Sequence, residues 1–600
     1  VNKNQRKVTT FKNTHFEIEK RFFPDMNVTQ EQVILSIPSY LRQFVVKQHY
    51  DEYTPQDHAV WRYVMHRNLD FLKDHAHPAY FDGLTKTGIG IDRIPHIDTM
   101  NESLAKIGWR AVVVDGFVPP AAFMEFQAHR ILVISAEIRN AQHVLYTPAP
   151  DILHEAAGHA PIIAEPKYAD FLQRFGVYGS KAVFSKEDYD IYEAIRYLSI
   201  IKEFPGTTEA DLKTAEDDLA AKTNANVNPS ESALLSRLHW WTVEYGLMGT
   251  PEDFTIFGAG ILSSVGESQA CLAKSVKKIV LDVDCANTNY DITRMQPQLF
   301  VARDFDHLID TLEAFADTMC FRKGGVESAK KIIDTAQVGT LVLDSGVQIS
   351  GIFTHVDGTF IRTNGPTALA YNDIQLTGHG IEYHADGFSS PLGRLKNLDM
   401  PLHRADEGDL LRQNITVGQS CSLEFRSGYV VRGNLSRIIR KEGKNLVFCW
   451  RNCTVTDPTG AVVFNPEWGA FDMVVGETIV SAFSGSADKE TYNVYPPKSS
   501  KTAIKIQYSD AEKRLFAHFD DIRLMRERNA PDPAKSRDIS QSLDREFSAS
   551  WLARFELYEL VRKHDTLGDL TAHLDSQLQA MRAQNEELDD LIRAGYHFLP

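Results

Sequence analysis

Apolar and polar positions change rhythm twice along this chain of 600 residues. Up to about residue 330 the apolar residues recur at helical steps, in segments joined by loops with few alternating runs. This predicts a mostly helical first region, residues 36–330, behind an N-terminal arm, 1–35. Residues 336–500 switch to β-branched runs broken by Gly-containing turns, the pattern of short antiparallel strands, and Val356-Asp357-Gly358-Thr359 is a hairpin signal within them. Pro496-Pro497-Lys498-Ser499-Ser500 reads as a linker. Beyond it, over 505–600, Leu567, Leu570, Leu574, Met581, Leu588 and Leu591 recur mainly at three, four and seven residue steps, a coiled-coil-like stripe. The stripe predicts either assembly into a homo-oligomer or a tail helix packed on its own chain.

The β-rich region carries a weak repeat. Thr340 to Gly351 and Ser422 to Gly433 each alternate on both sides of a Ser-Gly turn, and each is echoed downstream, at Asn372–Thr377 and at Asn452–Thr456. The repeat predicts a duplicated small β-barrel with a binding or regulatory role, or else two hairpins of the kind any β domain contains.

Composition narrows the class without naming a chemistry. With 43% hydrophobic and 10% aromatic residues the chain has core for two to four domains. A net charge of -16 argues against a nucleic-acid surface. No apolar run approaches the length of a membrane span, and Val1-Asn2-Lys3-Asn4 opens no signal-peptide core. Six cysteines are few for this length and suggest reduced thiols in a cytoplasmic protein. Cys449 and Cys453 lie close, but no second pair completes a zinc site.

Candidate chemistry concentrates in Asp151-Ile152-Leu153-His154-Glu155-Ala156-Ala157-Gly158-His159-Ala160-Pro161 and, about ninety residues on, in Trp240-Trp241-Thr242-Val243-Glu244-Tyr245-Gly246. Two imidazoles and a carboxylate are the ligand set of a mononuclear non-haem iron site with open positions. A zinc hydrolase using Glu155 as base is the competing reading. Its motif spaces the histidines four apart, at ~400° of helical rotation, whereas five apart on an unbroken α-helix splays the rings by roughly 140°. Gly158 is expected to relax the backbone so that the second ring comes from a helix end.

Further blocks make the pattern specific. Tyr146-Thr147-Pro148-Ala149-Pro150 runs into the histidine motif; Gly258-Ala259-Gly260-Ile261-Leu262-Ser263-Ser264-Val265-Gly266-Glu267-Ser268-Gln269 follows, then Tyr290-Asp291-Ile292-Thr293-Arg294-Met295-Gln296-Pro297. In these blocks the chain resembles the pterin-dependent aromatic amino acid hydroxylases over roughly residues 35 to 325, with Tyr53 to Trp61 similar to the opening helix of bacterial members.

The resemblance implies a mostly helical catalytic domain and hydroxylation of an aromatic amino acid, with Fe(II), a tetrahydropterin such as tetrahydrobiopterin, and O2. Phenylalanine is the expected substrate, in phenylalanine catabolism, with tyrosine or tryptophan as the alternatives; a non-catalytic regulatory protein on the same fold is a third reading. It puts the iron on His154, His159 and Glu244, with Ser263 orienting His154. Arg139, fifteen residues before His154, would grip the substrate carboxylate, its guanidinium steadied by Asp151. Thr147, Pro150 and Trp240 would line the same pocket, Trp240 offering a ring face. Phe123 would stack on the pterin, Glu155 would reach it through water, and Tyr290 would stand near the iron. Two positions depart from animal members: Val133 replaces a histidine and His239 a tyrosine.

Overall fold

The computed structural model describes residues 28–115, 118–141, 144, 150–203, 207–226, 228–292, 295–492, 508–584 and 586–599. Thr147 and the Pro496–Ser500 linker lie outside the described residues.

The first region is helical with two small sheets. Thr54 and Asp57 form a capping box at the head of the Pro55–Leu72 helix, whose Pro55 supplies a preset φ at N1. This helix buries Val60, Trp61, Tyr63, Val64 and Met65, but also Arg62 and Arg67, so it is enclosed on nearly all sides. Three strands, Val45–Val46, Arg110–Val114 and Ile131–Ser135 (β1 to β3), form a sheet in which β2 and β3 are parallel, joined through the Pro120–Ala128 helix. Four more, Leu247–Gly249, Phe254–Ile256, Lys277–Val280 and Gln298–Ala302 (β4 to β7), are ordered β5-β4-β7-β6.

The β-rich region holds two open sheets. Val338–Leu343, Val347–Val356, Phe360–Tyr371, Ile374–Gln375 and Ser389–Pro391 are β8 to β12; Ser420–Glu424, Val430–Lys441, Lys444–Thr456, Val462–Phe464, Phe471–Val474 and Ile479–Ser484 are β13 to β18. The first sheet runs β11-β10-β9-β8-β18 with β12 on β10; the second runs β13-β14-β15-β16 with β17 on β15. Both halves of the sequence repeat are hairpins turned by a Ser-Gly pair, with Gly346 at φ 96° donating to Leu343 O and Gly428 at φ 95° donating to Phe425 O. Neither sheet closes into a barrel among the described residues. The Val356–Thr359 segment turns as its sequence predicts: Asp357 Oδ1 accepts from the amides of Thr359 and Phe360.

Helix Gly325–Thr335 leads into this region and gives Ala329 and Ile332 to the core between the sheets. The β-rich region also grips the first region elsewhere. Lys489 pairs with buried Glu125 at 2.7 Å, and Phe184 N donates to Ser484 Oγ.

The last 90 or so residues fold back. Helices Asp510–Glu527, Pro533–Glu546, Trp551–Val561, Gly568–Arg582 and Glu586–Phe598 pack on one another, and the first and last also pack on Pro55–Leu72. The coiled-coil-like stripe is spent in this packing: Leu567, Leu570, Leu574, Met581 and Leu591 are buried within the chain. Arg62 donates to Glu556 and to both oxygens of Glu559, at 2.6–3.0 Å, and Arg67 pairs with Asp590 at 2.8 Å. Tyr63 donates to Leu591 O. No helix among the described residues is long and apolar enough to cross a membrane.

Arg62 and Glu556 are almost wholly buried, and without Arg62 the nearby Glu559 loses both of its hydrogen bonds while Glu556 keeps only Arg526. Arg62→Ala is expected to lower unfolding free energy by about 3–5 kcal/mol. Urea denaturation checks this, and an unchanged midpoint would contradict the role of the arginine in seating the C-terminal helices.

Candidate active site

The five-residue spacing of His154 and His159 is resolved by the backbone. Leu153–His159 is a π-helix, continuous with the Ala160–Ile163 α-helix. In π-helical i→i+5 geometry residues five apart come to the same side, so both imidazoles point into one space. Trp240–Glu244 is a second π-helical stretch, ending the Glu231–His239 helix; Tyr245 N donates to Trp240 O across five residues. Each stretch delivers metal-ligand types to a common point.

This corrects the expected role of Gly158. It sits inside the π-helix, with an ordinary helical neighbour at His159, and what it permits is close approach: a Cβ there would lie 2.7 Å from Ala259 O. Gly258 does the same on the other side, where a Cβ would meet Glu244 O at 2.5 Å. The two glycines let Ala259–Leu262 wedge between the histidine and glutamate segments.

At the point of convergence, His154 Nε2 and His159 Nε2 are 3.1 Å apart, and each lies 3.3 Å from an oxygen of Glu244. Each histidine faces a different oxygen of Glu244, and since adjacent ligands of an octahedral ion with bonds of about 2.1 Å stand about 3.0 Å apart, the two nitrogens and this carboxylate are spaced to hold such an ion. Ser263 Oγ donates to Ala259 O at 2.7 Å, which spends its one proton, and so accepts from His154 Nδ1 at 2.9 Å. That bond keeps the proton on Nδ1 and leaves the Nε2 lone pair facing the centre. Burial works against the Glu244 carboxylate, but positive charge carried by the two facing imidazoles outweighs it and holds the acid well below its usual range.

Arg139 and Asp151 are both buried and meet side-on: Nε donates to Oδ2 at 2.8 Å and Nη2 to Oδ1 at 3.0 Å. Burial raises the Asp151 acid, and the guanidinium more than offsets this, leaving it lowered. Asp151 also accepts from the backbone of Arg139 and of His154, so one carboxylate fixes both the arginine and the start of the π-helix. Nη1 makes only a long 3.4 Å contact with Val144 O among the described residues, and this edge can take a second carboxylate.

Glu155 is buried, its Oε2 lies 3.8 Å from His159 Nε2 and accepts no hydrogen bond from a described residue, and burial pushes its acid up to about 8. His239 lies 3.8 Å from Glu244 Oε1 with Phe123 and Phe175 edge-on to it, and burial lowers it to about 4. Val133 is buried in the apolar cluster that includes Ala122 and Phe126 and brings no polar group. Phe123 is half-buried on the Pro120–Ala128 helix.

Trp240 departs from expectation. Its ring is stacked between Tyr290, at 4.3 Å and 10°, and Tyr245, at 4.6 Å and 29°. Two near-parallel rings at such distances take the two faces, so only the edge of Trp240 is left for other contacts. Tyr290 borders a cavity of about 690 Å³ that Tyr192, Ile195, Arg237 and Gln296 also line; the histidines and Glu244 do not line it. Pro150 is exposed beside the segment that contains Thr147. Sequence reasoning missed Tyr245 and Phe175 as shapers of the site; the Trp-x4-Tyr spacing was the available signal, since in a π-helical stretch it places the two rings together.

The sequence profile of biopterin-dependent aromatic amino acid hydroxylases matches residues 42–200 and 224–327. Phenylalanine-4-hydroxylase of Chromobacterium violaceum is 30% identical over 290 residues, 48% of this chain and 82% of that protein. Phenylalanine-4-hydroxylase of Mesorhizobium japonicum is 30% identical over 274 residues, 45% and 83% of the respective chains. A crystal structure of the C. violaceum enzyme with bound Fe(III) aligns at 28% identity over 48% of this chain and 89% of that one, with a TM-score of 0.36. The matched blocks are those that supply the converging histidines and glutamate, and the chain belongs to the biopterin-dependent aromatic amino acid hydroxylases.

Proposed function

We propose that this protein is an iron- and tetrahydropterin-dependent monooxygenase that hydroxylates L-phenylalanine to L-tyrosine. The observation that carries it is the meeting of His154, His159 and Glu244 at 3.1–3.3 Å within a family member. Two imidazoles and one carboxylate on one face suit Fe(II) and leave the opposite face open to exchangeable ligands. Bound there, iron together with the reduced pterin supplies the dioxygen activation that ring hydroxylation needs.

The protein's own contribution is binding and orientation. Ser263 holds His154 in the ligating tautomer. Arg139, locked by Asp151, presents its remaining edge to the amino acid carboxylate, and so sets how far the substrate ring reaches toward the metal. Phe123 offers a ring face to the pterin, and Glu155 reaches it through water. Tyr290 and Trp240 form a stacked wall. The substrate assignment follows the relatives named above, which are phenylalanine hydroxylases.

Turnover with Fe(II), tetrahydrobiopterin and O2, offering phenylalanine, tyrosine and tryptophan separately, is expected to yield tyrosine from phenylalanine by mass analysis. Product from another amino acid in its place would reassign the substrate. Glu244→Ala is expected to lose iron and hydroxylation together, and full iron occupancy in that variant would remove Glu244 from the ligand set. Ser263→Ala should bind iron about 10- to 100-fold more weakly while remaining folded, read by competition with a chelator. For Arg139→Lys, kcat/KM for phenylalanine should fall at least about tenfold, a charge-assisted hydrogen bond being worth about 1.5–3 kcal/mol; an unchanged value would place the carboxylate elsewhere.

A further inference from the structure

Away from the catalytic region, the β-rich region brings together four side chains of metal-ligand type. His379 and His384 lie in the connection between β11 and β12; Cys449 is on β15 and Asp472 on β17, directly opposite each other in the antiparallel register. All four are buried, at 1%, 9%, 8% and 5% exposure. His379 Nδ1 is 3.3 Å from His384 Nε2 and 3.7 Å from Asp472 Oδ2; His384 Nε2 is 4.0 Å from the same oxygen. The ligand atoms of His379, Cys449 and Asp472 all fall within 4.8 Å of one another.

We infer that His379 Nδ1, His384 Nε2, Cys449 Sγ and Asp472 Oδ2 form a structural zinc site that staples the two sheets of the β-rich region together. A tetrahedral zinc with bonds of about 2.0–2.3 Å separates its ligands by about 3.3–3.7 Å; His379 stands at such spacings from His384 and Asp472, while His384 lies outside the set within 4.8 Å and has to close on Cys449 when the ion binds. Four protein ligands leave no open position, which makes the site structural rather than catalytic. A thiolate beside two imidazoles and a carboxylate, in a tetrahedral arrangement, favours zinc over the oxygen-preferring ions.

Asp472 Oδ2 supports the assignment independently. It is buried without a well-formed hydrogen bond, only weak neutral donors on Tyr383 and Cys449 reaching the carboxylate, a costly state unless a cation faces it. Arg437 is nearby, but its Nη2 is directed at His379 Nε2, 3.2 Å away, and at Cys449 Sγ, 3.8 Å away. Arg437 is therefore directed away from Asp472, whose neighbours as donors are the Tyr383 hydroxyl and the Cys449 thiol. On loading, zinc takes the Nδ1 lone pair of His379, the ring proton resides on Nε2, and Arg437 turns its N–H to the thiolate. The Cys449 thiol proton leaves to solvent.

The fold gives such a staple work to do. Residues 376–388 connect β11 to β12 with no regular structure of their own, a length at which a loop in a compact domain needs anchoring. Backbone bonds tie both histidines to β10: Leu369 N donates to His379 O and Thr367 N to His384 O. The histidines thus belong to the first sheet, and Cys449 and Asp472 to the second. Sequence spacing concealed the site, because the partners of Cys449 are these three residues and Cys453 faces a different apolar cluster.

Titration of the metal-free full chain with Co2+ tests the site. The His154, His159 and Glu244 set contains no thiolate, so a thiolate-to-cobalt charge-transfer band in the near ultraviolet reports the second site alone. The band is expected in the wild type and in Glu244→Ala, and it should disappear in Cys449→Ser but persist in Cys453→Ser. Cobalt binding without the band, or a band that survives in Cys449→Ser, would overturn the proposal. Should Cys449→Ser not fold, X-ray absorption of the zinc-loaded wild type decides. One sulfur scatterer at about 2.3 Å is expected, and a shell of nitrogen and oxygen alone would refute it.

Discussion

Glu244 is a carboxylate withdrawn from water and aimed at two imidazole nitrogens only 3.1 Å apart, and the first region is built so that these groups cannot drift away from one another. Two imidazole nitrogens and a carboxylate at this spacing repel unless a cation or protons lie among them. The backbone resists that repulsion with two π-helical stretches, each locking its ligands by i→i+5 bonding, and with a short helix pressed between them at two glycines. Ser263, at the end of that short helix, then sets the tautomer. The preorganisation is therefore a property of backbone contacts more than of the ligands themselves.

The sequence made some of this legible and hid the rest for physical reasons. The residue types and their order pointed to the triad, because imidazole and carboxylate are rare company in a buried apolar setting. The geometry was hidden, since a five-residue spacing contradicts an α-helix and nothing local announces a π-helix. Gly158 was read as a point of backbone relaxation when its meaning lies in a neighbour a hundred residues away, Ala259. The change to β structure near residue 336 was legible as alternation, and so was the Asp357-Gly358 turn. How the strands assemble was not, because β18 returns to the first sheet after the whole second sheet has been laid down. Cys449 illustrates the limit: its neighbours come from a loop and from a paired strand, and register is invisible to spacing.

The appended regions are not passive cargo. Lys489, just after β18, reaches Glu125 on the helix that carries Phe123, and Tyr40 reaches the same carboxylate. The β-rich region thus touches the back of a helix whose front faces the catalytic space. On another side, the C-terminal helices enclose Pro55–Leu72, turning what would be an amphipathic helix into one buried nearly all round, with arginines in places where a core normally has leucine.

That enclosure has a temporal side. Arg62 and its partner Glu556 are 494 residues apart in sequence. At ribosomal rates of about 5–20 residues per second, roughly 25 to 100 s separate the emergence of the arginine from that of its carboxylates. Throughout that interval Arg62 and Arg67 must stay solvated, so the opening helix of the catalytic region cannot reach its final surroundings until synthesis is almost over. A helix made early in synthesis is thus among the last to be finished.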